Sequence, residues 1–194
     1  MKTRLPIDEL NILRTRLKEH FEDYEDETGA VKTRIKSRKD VYDILDMMLD
    51  LFLLAYANGV AAVNEQFGTD FRPTTDEIEA TVYKKIDGAT WEDRVWTWYD
   101  EGGTEDDIVR IAETETHRDG NTAAVTTATK AGAKTKTWVT MNDYRVRDTH
   151  FWLEGVTVGV EDDFYTYDGD HAPAPGMFGF AENNVNCRCE LDFA

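Results

Sequence analysis

The hydrophobic pattern of the chain changes period once, near Gly132, and this change limits the folds open to it. Before Gly132, apolar residues recur at spacings of three and four, as on the buried face of an α-helix. After it, residues 136–141 and 156–160 alternate between apolar and polar side chains, as half-buried β-strands do. The pattern therefore predicts an α+β fold, in which a helical part over residues 1–130 is followed by a small strand-and-loop module over residues 131–194.

The helical part is predicted to begin with two amphipathic helices. The first ends in an acidic segment before Gly29, and its apolar stripe consists of Ile7, Leu10, Leu13, Leu17, Phe21 and Tyr24. Residues 33–39 are predicted to form a basic connector. Asp40 is then expected to cap a long second helix that reaches Glu65, in which Gly59 is tolerated or marks a kink.

Three threonines mark the starts of the remaining predicted helices. Thr74 is followed three residues later by Glu77, and Thr104 by Asp107, which is the spacing of a capping box. Thr90 is predicted to start a helix between these two.

The module is predicted to contain a third short strand, over residues 164–167, followed by a loop. Gly and Pro are frequent over residues 168–179, and both residue types favour turns. We therefore expect that segment to be largely irregular.

The chain is strongly acidic. It has 22 Lys and Arg against 39 Asp and Glu, which gives a formal net charge of -17. A surface of this sign repels nucleic-acid phosphates and anionic lipids, so electrostatic DNA binding by the monomer is not expected. A basic cluster over residues 32–39 departs from this trend. The acidity agrees either with a highly solvated surface or with adaptation to high salt.

The sequence carries few marks of targeting or membrane insertion. Its opening segment, Met1-Lys2-Thr3-Arg4, leads into charged residues, so we expect no signal peptide. The most apolar stretch, residues 47–63, is broken by Asp50, Asn58 and Asn64, and we expect it to be too short and too interrupted to span a bilayer. Two cysteines cannot form a disulfide scaffold, which fits a protein made in a reducing cytoplasm. From the opening segment and the apolar stretch we expect no membrane partner.

Cys187 and Cys189 are candidate metal ligands. In an extended segment, residues i and i+2 point the same way, so both sulfurs would face one ion. A zinc ion would need two more ligands, for which His150 with Asp143 or His171 are the candidates. Three alternatives stay open: burial of the thiols as small apolar groups, a strained pairing between them, or pairing with another chain.

Residues 143–150 alternate charged side chains and end in His150. This density of charge is typical of a turn that is locked by internal hydrogen bonds. Either Arg145 or Arg147 would hold a carboxylate in a bidentate pair, which Lys cannot do. No nucleophile or acid partner for His150 is evident nearby, so a structural lock is favoured over a catalytic role.

Two helical faces are candidates for contact with a partner. On one face, Glu113 and His117 are four residues apart and therefore lie side by side. This polar face could dock onto the C-terminal module, dock onto a partner, or be solvated. On the other, Trp96 lies outside the stripe that carries Trp91 and Trp98. We therefore expect Trp96 to meet a partner.

Several short motifs occur in a characteristic order between residues 104 and 190. They are Ile108-Val109-Arg110-Ile111-Ala112-Glu113-Thr114-Glu115-Thr116, Lys136-Thr137-Trp138-Val139-Thr140, Asp143, Arg145-Val146-Arg147, His150, Leu153-Glu154-Gly155, Phe164, Pro175-Gly176 and Asn186-Cys187-Arg188-Cys189. In this order they resemble the C-terminal domain of the tailed-phage head morphogenesis family, also called minor head or phage Mu protein F-like proteins.

The resemblance implies a structural virion component that is made in the host cytoplasm and is not an enzyme. Its expected location is the virion head, as part of an oligomeric assembly with the portal protein, the major capsid protein or both. The matched positions are expected to form a structural core or lock, comprising Glu113, Glu115, Trp138, Asp143, Arg145, Arg147 and Gly155. His150, Cys187 and Cys189 are expected to support it, with a structural zinc ion as the candidate cofactor.

Two other functions remain as alternatives at this point. One is a zinc-dependent hydrolase or transferase built on the C-terminal module, with the metal on His150, Cys187 and Cys189. The other is an ejection protein that contacts packaged DNA, as some relatives do, through the basic segment over residues 32–39.

Overall fold

The computed structural model describes residues 6–86 and 88–194, so the expectation for Met1-Lys2-Thr3-Arg4 lies outside the described residues. The helices are α1 Ile7–Leu17, α2 Arg38–Phe67, α3 Thr75–Val82, α4 Trp91–Glu101, α5 Glu105–Ala131, α6 Asp148–Phe151 and α7 Ala181–Asn184. The strands are β1 Phe21–Glu25, β2 Val31–Ile35, β3 Thr135–Val139, β4 Thr157–Gly159, β5 Phe164–Tyr165, β6 His171–Ala172 and β7 Glu190–Phe193. Long helices followed by small antiparallel sheets confirm the α+β class.

The helical part surrounds an apolar core to which α1, α2, α4 and the first half of α5 contribute. Phe52 of α2 and Trp91 of α4 are fully buried, and their rings meet edge to face with centroids 5.0 Å apart. The predicted apolar stripes account for this core, since Ile44, Met48 and Val95 are also fully buried. Burial of such side chains stabilises the fold by about 1.5–3 kcal/mol each.

Helices α2 and α5 approach most closely at Gly59. A Cβ atom at this position would lie 2.3 Å from the carbonyl oxygen of Gly120 and 3.1 Å from the Cβ of Ala123. The sequence left open whether Gly59 is tolerated or marks a kink. The structure gives it a packing role, because its missing side chain lets the two helix backbones come together.

The predicted extension of the first helix to Phe21 and Tyr24 is wrong. Helix α1 ends at Leu17, and both residues lie in β1, which pairs with β2 in an antiparallel hairpin. The basic connector predicted over residues 33–39 is also wrong, because its first residues belong to β2.

The turn between these strands explains the hairpin. The Asp26 carboxylate accepts hydrogen bonds from the backbone N–H groups of Thr28 (2.8 Å) and Ala30 (3.2 Å), and Gly29 has a φ of +78°. Such Asx-type bonding favours a turn over continued helix. Across the hairpin, Phe21 pairs with Ile35, and both side chains remain in the core, as the helical stripe would have placed Phe21.

Most predicted helix starts are confirmed. Thr74, Thr90 and Thr104 each precede a helix, and the backbone N–H of each donates to the carboxylate three residues later. Helix α2 differs, because Ser37 rather than Asp40 is its N-cap and accepts a hydrogen bond from the Asp40 N–H. Asp40 in turn accepts from the Ser37 hydroxyl (2.5 Å).

In the module, β3 is the central strand of a three-stranded antiparallel sheet in the order β4-β3-β7. The predicted strands over residues 136–141, 156–160 and 164–167 correspond to β3, β4 and β5. Strand β7 was not predicted, and β6 lies inside the segment that was expected to be loop. Each of these missed strands is too short to show a clear alternation.

Among the described residues, α2 is the one helix that is long and apolar enough, by length and composition, to cross a membrane. The expectation that residues 47–63 are too short and too interrupted is therefore wrong by this criterion. Half of the most apolar part of α2 is nevertheless buried inside the protein. Its contacts with α1, α4 and α5 give it the role of a central core helix.

The two parts share a boundary region of packed side chains. Val63 of α2 and Ala124 and Ala128 of α5 belong to the same buried cluster as Trp138 and Leu191 of the module. Helix α5 thus carries the module on its second half. The division of the chain at residue 130 stays a prediction.

Candidate functional site

The structure brings His150, Cys187 and Cys189 together. His150 Nδ1 lies 3.6 Å from Cys187 Sγ and 3.5 Å from Cys189 Sγ. All three side chains are buried, and their donor atoms lie within 4.8 Å of one another. The sequence predicted that these residues form one cluster, and their proximity agrees with that prediction.

Aromatic side chains hold the imidazole of His150 in place. Its ring stacks on Phe178 at a centroid distance of 5.4 Å and meets the edge of Trp138 at 5.2 Å. The backbone N–H of His150 donates to the carbonyl of Arg147 (3.0 Å), which fixes the short helix α6. His150 is therefore positioned by a core rather than by a mobile surface loop.

The two cysteines lie on an irregular segment just before β7. Asn186 has a φ of +57°, a left-handed conformation that Asn tolerates well, and it turns the chain into the Cys187-Arg188-Cys189 segment. The carbonyl of Cys189 accepts a hydrogen bond from His117 Nε2 (2.6 Å) on α5. Burial lowers the pKa of His117 to about 4, so its imidazole is neutral at pH 7 and carries its proton on Nε2.

The thiols differ in acidity. Hydrogen bonding to Cys187, together with burial, raises the pKa of Cys189. Burial opposes ionisation of Cys187, but hydrogen bonds with Cys189 and the charges of Arg147 and Arg188 outweigh it and lower the pKa of Cys187. Cys187 is therefore the first of the two to become a thiolate, the form that binds metals.

The predicted additional ligands are engaged elsewhere. The Asp143 carboxylate accepts a bidentate pair of hydrogen bonds from Arg188, at 2.9 and 2.7 Å. These bonds lower the pKa of Asp143 to about 2. His171 is half-exposed and pairs with Asp163 at 2.7 Å.

The bidentate pair that the sequence assigned to Arg145 or Arg147 is formed by Arg188. Arg145 reaches Asp143 at only 3.7 Å, and Arg147 instead donates to the backbone carbonyl of Val185. The sequence did not indicate Arg188 because this residue is 45 positions away from Asp143. Asp143 is thus held by a bidentate arginine pair, as predicted for this turn, but the arginine is Arg188.

Gly155 and Trp138 form a backbone lock next to the cluster. The N–H of Gly155 donates to the carbonyl of Trp138, and the N–H of Trp138 donates to the carbonyl of Val156, both at 2.9 Å. Gly155 has a φ of +73°, where a side chain would be strained. Trp138 is fully buried against His150 and Phe164.

The two predicted glutamates on α5 have different environments. Glu113 is partly exposed and pairs with Arg14 of α1. Glu115 is buried between Arg94 and Arg118, the latter at 2.6 Å. The sequence allowed the face of Glu113 and His117 to be solvated or to dock. His117 is buried, whereas Glu113 is partly exposed, so only part of this face packs inside the protein.

A polar network that sequence reasoning missed holds the Gly- and Pro-rich segment. The Asp170 carboxylate accepts hydrogen bonds from the backbone N–H groups of His171, Gly179 and Phe180, each at 2.9 Å, and from Asn183 Nδ2 at 3.0 Å. Hydrogen bonds of this kind satisfy loop backbone groups that would otherwise be buried without partners. The adjacent Asn183-Asn184 pair was the available sign in the sequence.

Trp96, expected to meet a partner, packs within the chain. Its ring meets Tyr42 edge to face at 5.2 Å, and the guanidinium of Arg38 lies 4.7 Å from its centroid. The five most exposed aromatic residues of the described chain lie instead on the module, and they are Tyr144, Phe151, Trp152, Tyr165 and Tyr167.

Three of the five basic residues over residues 32–39 pair with neighbouring carboxylates. Lys32 contacts Asp26 at 2.7 Å, Arg34 contacts Glu22 at 3.0 Å and Lys39 contacts Asp43 at 2.8 Å. These pairs reduce the positive charge that this segment can offer to a phosphate backbone.

The family described as Phage Mu protein F like protein matches residues 74–192 of the chain. This region includes α3–α7, β3–β6 and the His150, Cys187 and Cys189 cluster. The chain therefore belongs to this family, which confirms the class of protein that the ordered motifs predicted.

Two relatives illustrate the range of proteins that share the matched region. Minor head protein GP7 of Bacillus phage SPP1 is 34% identical over 83 residues, which cover 41% of this chain and 27% of that protein. NAD(+)--arginine ADP-ribosyltransferase EFV of Enterococcus faecalis is 41% identical over 88 residues, covering 42% of this chain and 17% of that protein. The chain thus spans less than a third of the length of either relative, and no solved structure matches it.

Proposed function

We propose that the chain is a minor head component of a tailed virus, located in the virion head and acting in head morphogenesis. The match of residues 74–192 to the Phage Mu protein F like family carries this proposal. The likeness to a protein named as a minor head protein supports it. The function is one of binding to other head proteins.

The exposed aromatic residues of the module are the proposed contact surface. Trp152 is 71% exposed and Phe151 58%, and their rings meet edge to face on α6 and the residue after it. Aromatic side chains are enriched at protein interfaces and often dominate their binding energy. The partner is the portal protein, the major capsid protein or both, and the assembled form is an oligomer.

The experiment is native mass spectrometry of the purified chain with the portal protein encoded by the same virus. A complex of defined stoichiometry is expected. Trp152→Ala should weaken it at unchanged thermal stability, whereas Ile12→Ala, at an exposed position on α1, should leave it intact. If only Ile12→Ala weakens the complex, the helical part is the contact, as the sequence first indicated. No complex with portal or capsid protein would overturn the proposal.

A DNA-contacting role receives no support from the charges. The net charge is -17, and three of the five basic residues over residues 32–39 are paired with neighbouring carboxylates. A head-protein surface is the better explanation of the exposed aromatic residues.

One observation favours an enzyme as a second candidate. A narrow cleft lined by Met141, Val146 and Asn186 reaches His150 and both thiols, as the open coordination position of a catalytic zinc site would require. The ADP-ribosyltransferase relative does not add to this, since the likeness covers 17% of that protein. A catalytic His150 predicts that His150→Ala stays folded and loses turnover, whereas a structural His150 predicts lost stability.

A further inference from the structure

We propose that His150 Nδ1, Cys187 Sγ and Cys189 Sγ bind one zinc ion, with a water molecule as the fourth ligand. The proposal is independent of the head function, because it rests on the geometry of three buried donor atoms.

The spacing of the donors fits zinc. With Zn–N of about 2.0–2.1 Å and Zn–S of about 2.3 Å, tetrahedral angles place the nitrogen and each sulfur about 3.5–3.6 Å apart. The observed distances from His150 Nδ1 are 3.6 Å to Cys187 Sγ and 3.5 Å to Cys189 Sγ. Both nitrogen–sulfur separations thus match those of a zinc tetrahedron, and all three donor atoms lie within 4.8 Å of one another.

The donors are also chemically suited. Two thiolates and one neutral imidazole form a ligand set of borderline-soft donors that zinc prefers, and two thiolates balance its charge. Binding would release the two thiol protons to solvent, so that no net charge is left buried.

The surroundings hold the donors as metal ligands are usually held. Phe178 and Trp138 fix the ring of His150, and His117 donates to the carbonyl of Cys189. Such outer contacts orient ligands and tune metal affinity. A bound ion would tie α6 to the segment before β7.

The cleft between residues 141–147 and 186–189 is lined by His150, Cys187 and Cys189 as well, so it would give access to the fourth position. Among the described residues, no other His, Cys, Asp or Glu lies close enough to join the three donors. Asp143 and His171 are paired with Arg188 and Asp163 instead. A water molecule entering through the cleft is therefore the proposed fourth ligand.

The test uses the full chain, purified with reduced thiols and without chelator. Elemental analysis is expected to find about one zinc per chain, and exchange for Co²⁺ should give thiolate-to-cobalt absorption together with the visible bands of a tetrahedral ion. Cys189→Ser and His150→Ala should each weaken Co²⁺ binding by at least about tenfold. His171→Ala removes a half-exposed histidine that pairs with Asp163, and it should leave the spectrum unchanged.

The wild-type protein alone is sufficient to refute the proposal, so a variant that fails to fold does not spare it. A reduced, folded chain that contains less than about a tenth of a zinc per molecule and gives no thiolate-to-cobalt band would overturn it. In that case a metal-free thiol–imidazole hydrogen bond explains the cluster. An equal loss of Co²⁺ binding in His171→Ala would also overturn the ligand assignment.

Discussion

The helical part and the module are stabilised in different ways. The helical part buries broad apolar stripes on long helices, so that many similar side chains share the stabilisation. The module has strands of two to five residues, and its interior holds His150, Lys136, Asp170 and both thiols. A core of the first kind tolerates many substitutions, whereas a core of the second kind depends on particular hydrogen bonds.

Removal of the Asp170 carboxylate should be the most damaging change. Asp170→Ala would leave three backbone N–H groups without their acceptor and would remove one of the two carboxylates that accept from Asn183 Nδ2, so we expect a loss of about 3 kcal/mol in the free energy of unfolding. Denaturant unfolding measures this loss. As a control, Glu161→Ala, at an exposed acid of the same module, should change the free energy of unfolding by less than about 0.5 kcal/mol. If both variants lost the same stability, the module would not depend on particular hydrogen bonds, and the distinction between the two regions would fail.

The helical part is expected to be most sensitive at its closest helix contact. Gly59→Ala places a Cβ 2.3 Å from the Gly120 carbonyl oxygen and should destabilise the chain by about 2 kcal/mol, despite the higher helix propensity of Ala. Gly120→Ala is the matched control, because its Cβ would make an ordinary contact of 3.4 Å with the Ala55 carbonyl. Thermal unfolding of both variants measures the difference in their stability. A Gly59→Ala variant more stable than the wild type would contradict the close approach of the α2 and α5 backbones.

A buried acid on α5 should give the helical part a pH-dependent stability. Burial raises the pKa of Asp119 to about 7, although Arg118 opposes the rise, and Glu115 and Arg94 are the other charged groups nearby. The folded state then binds more protons than the unfolded state, whose Asp pKa is about 3.9. This contribution is complete below about pH 4 and is lost as the pH rises to about 7.

Asp119→Asn removes this contribution. Relative to the wild type, the variant should gain about 1 kcal/mol in the free energy of unfolding for each pH unit between about pH 4 and 7. Denaturant titrations at several pH values measure the difference. A constant difference across this range would show that Asp119 is ionised throughout.

The smallest expected effect concerns a buried lysine of the module. Burial lowers the pKa of Lys136, and its ammonium has no hydrogen-bond partner within the described part of the chain. Lys136→Met keeps the length of the side chain without the charge and should stabilise the protein by about 1 kcal/mol. The exposed Lys134→Met is the control, with no expected change. A destabilised Lys136→Met would reveal a stabilising role for that charge.

Local patterns predicted the parts of the fold that depend on neighbouring residues. The starts of α3, α4 and α5 follow from Thr74, Thr90 and Thr104, because each cap is completed within three residues. The helical spacing of Phe21 and Tyr24 led to a wrong prediction, because the turn at Asp26 makes this segment a strand of a hairpin.

Contacts between distant residues were harder to predict. The partner of Asp143 is Arg188, 45 residues away, and nothing in the local charge pattern distinguishes it from Arg145. The cluster of His150 with both cysteines was predictable because few residue types bind metals. Its arrangement depends on Trp138 and Phe178, which only the folded chain brings beside it.

The most direct test of the account is quantitative mass spectrometry of purified particles of the virus that encodes the chain. A minor head component predicts that the chain is present in every preparation, at a few copies per particle relative to the major capsid protein. Absence of the chain from the particles, despite its presence in the infected cells, would contradict the account.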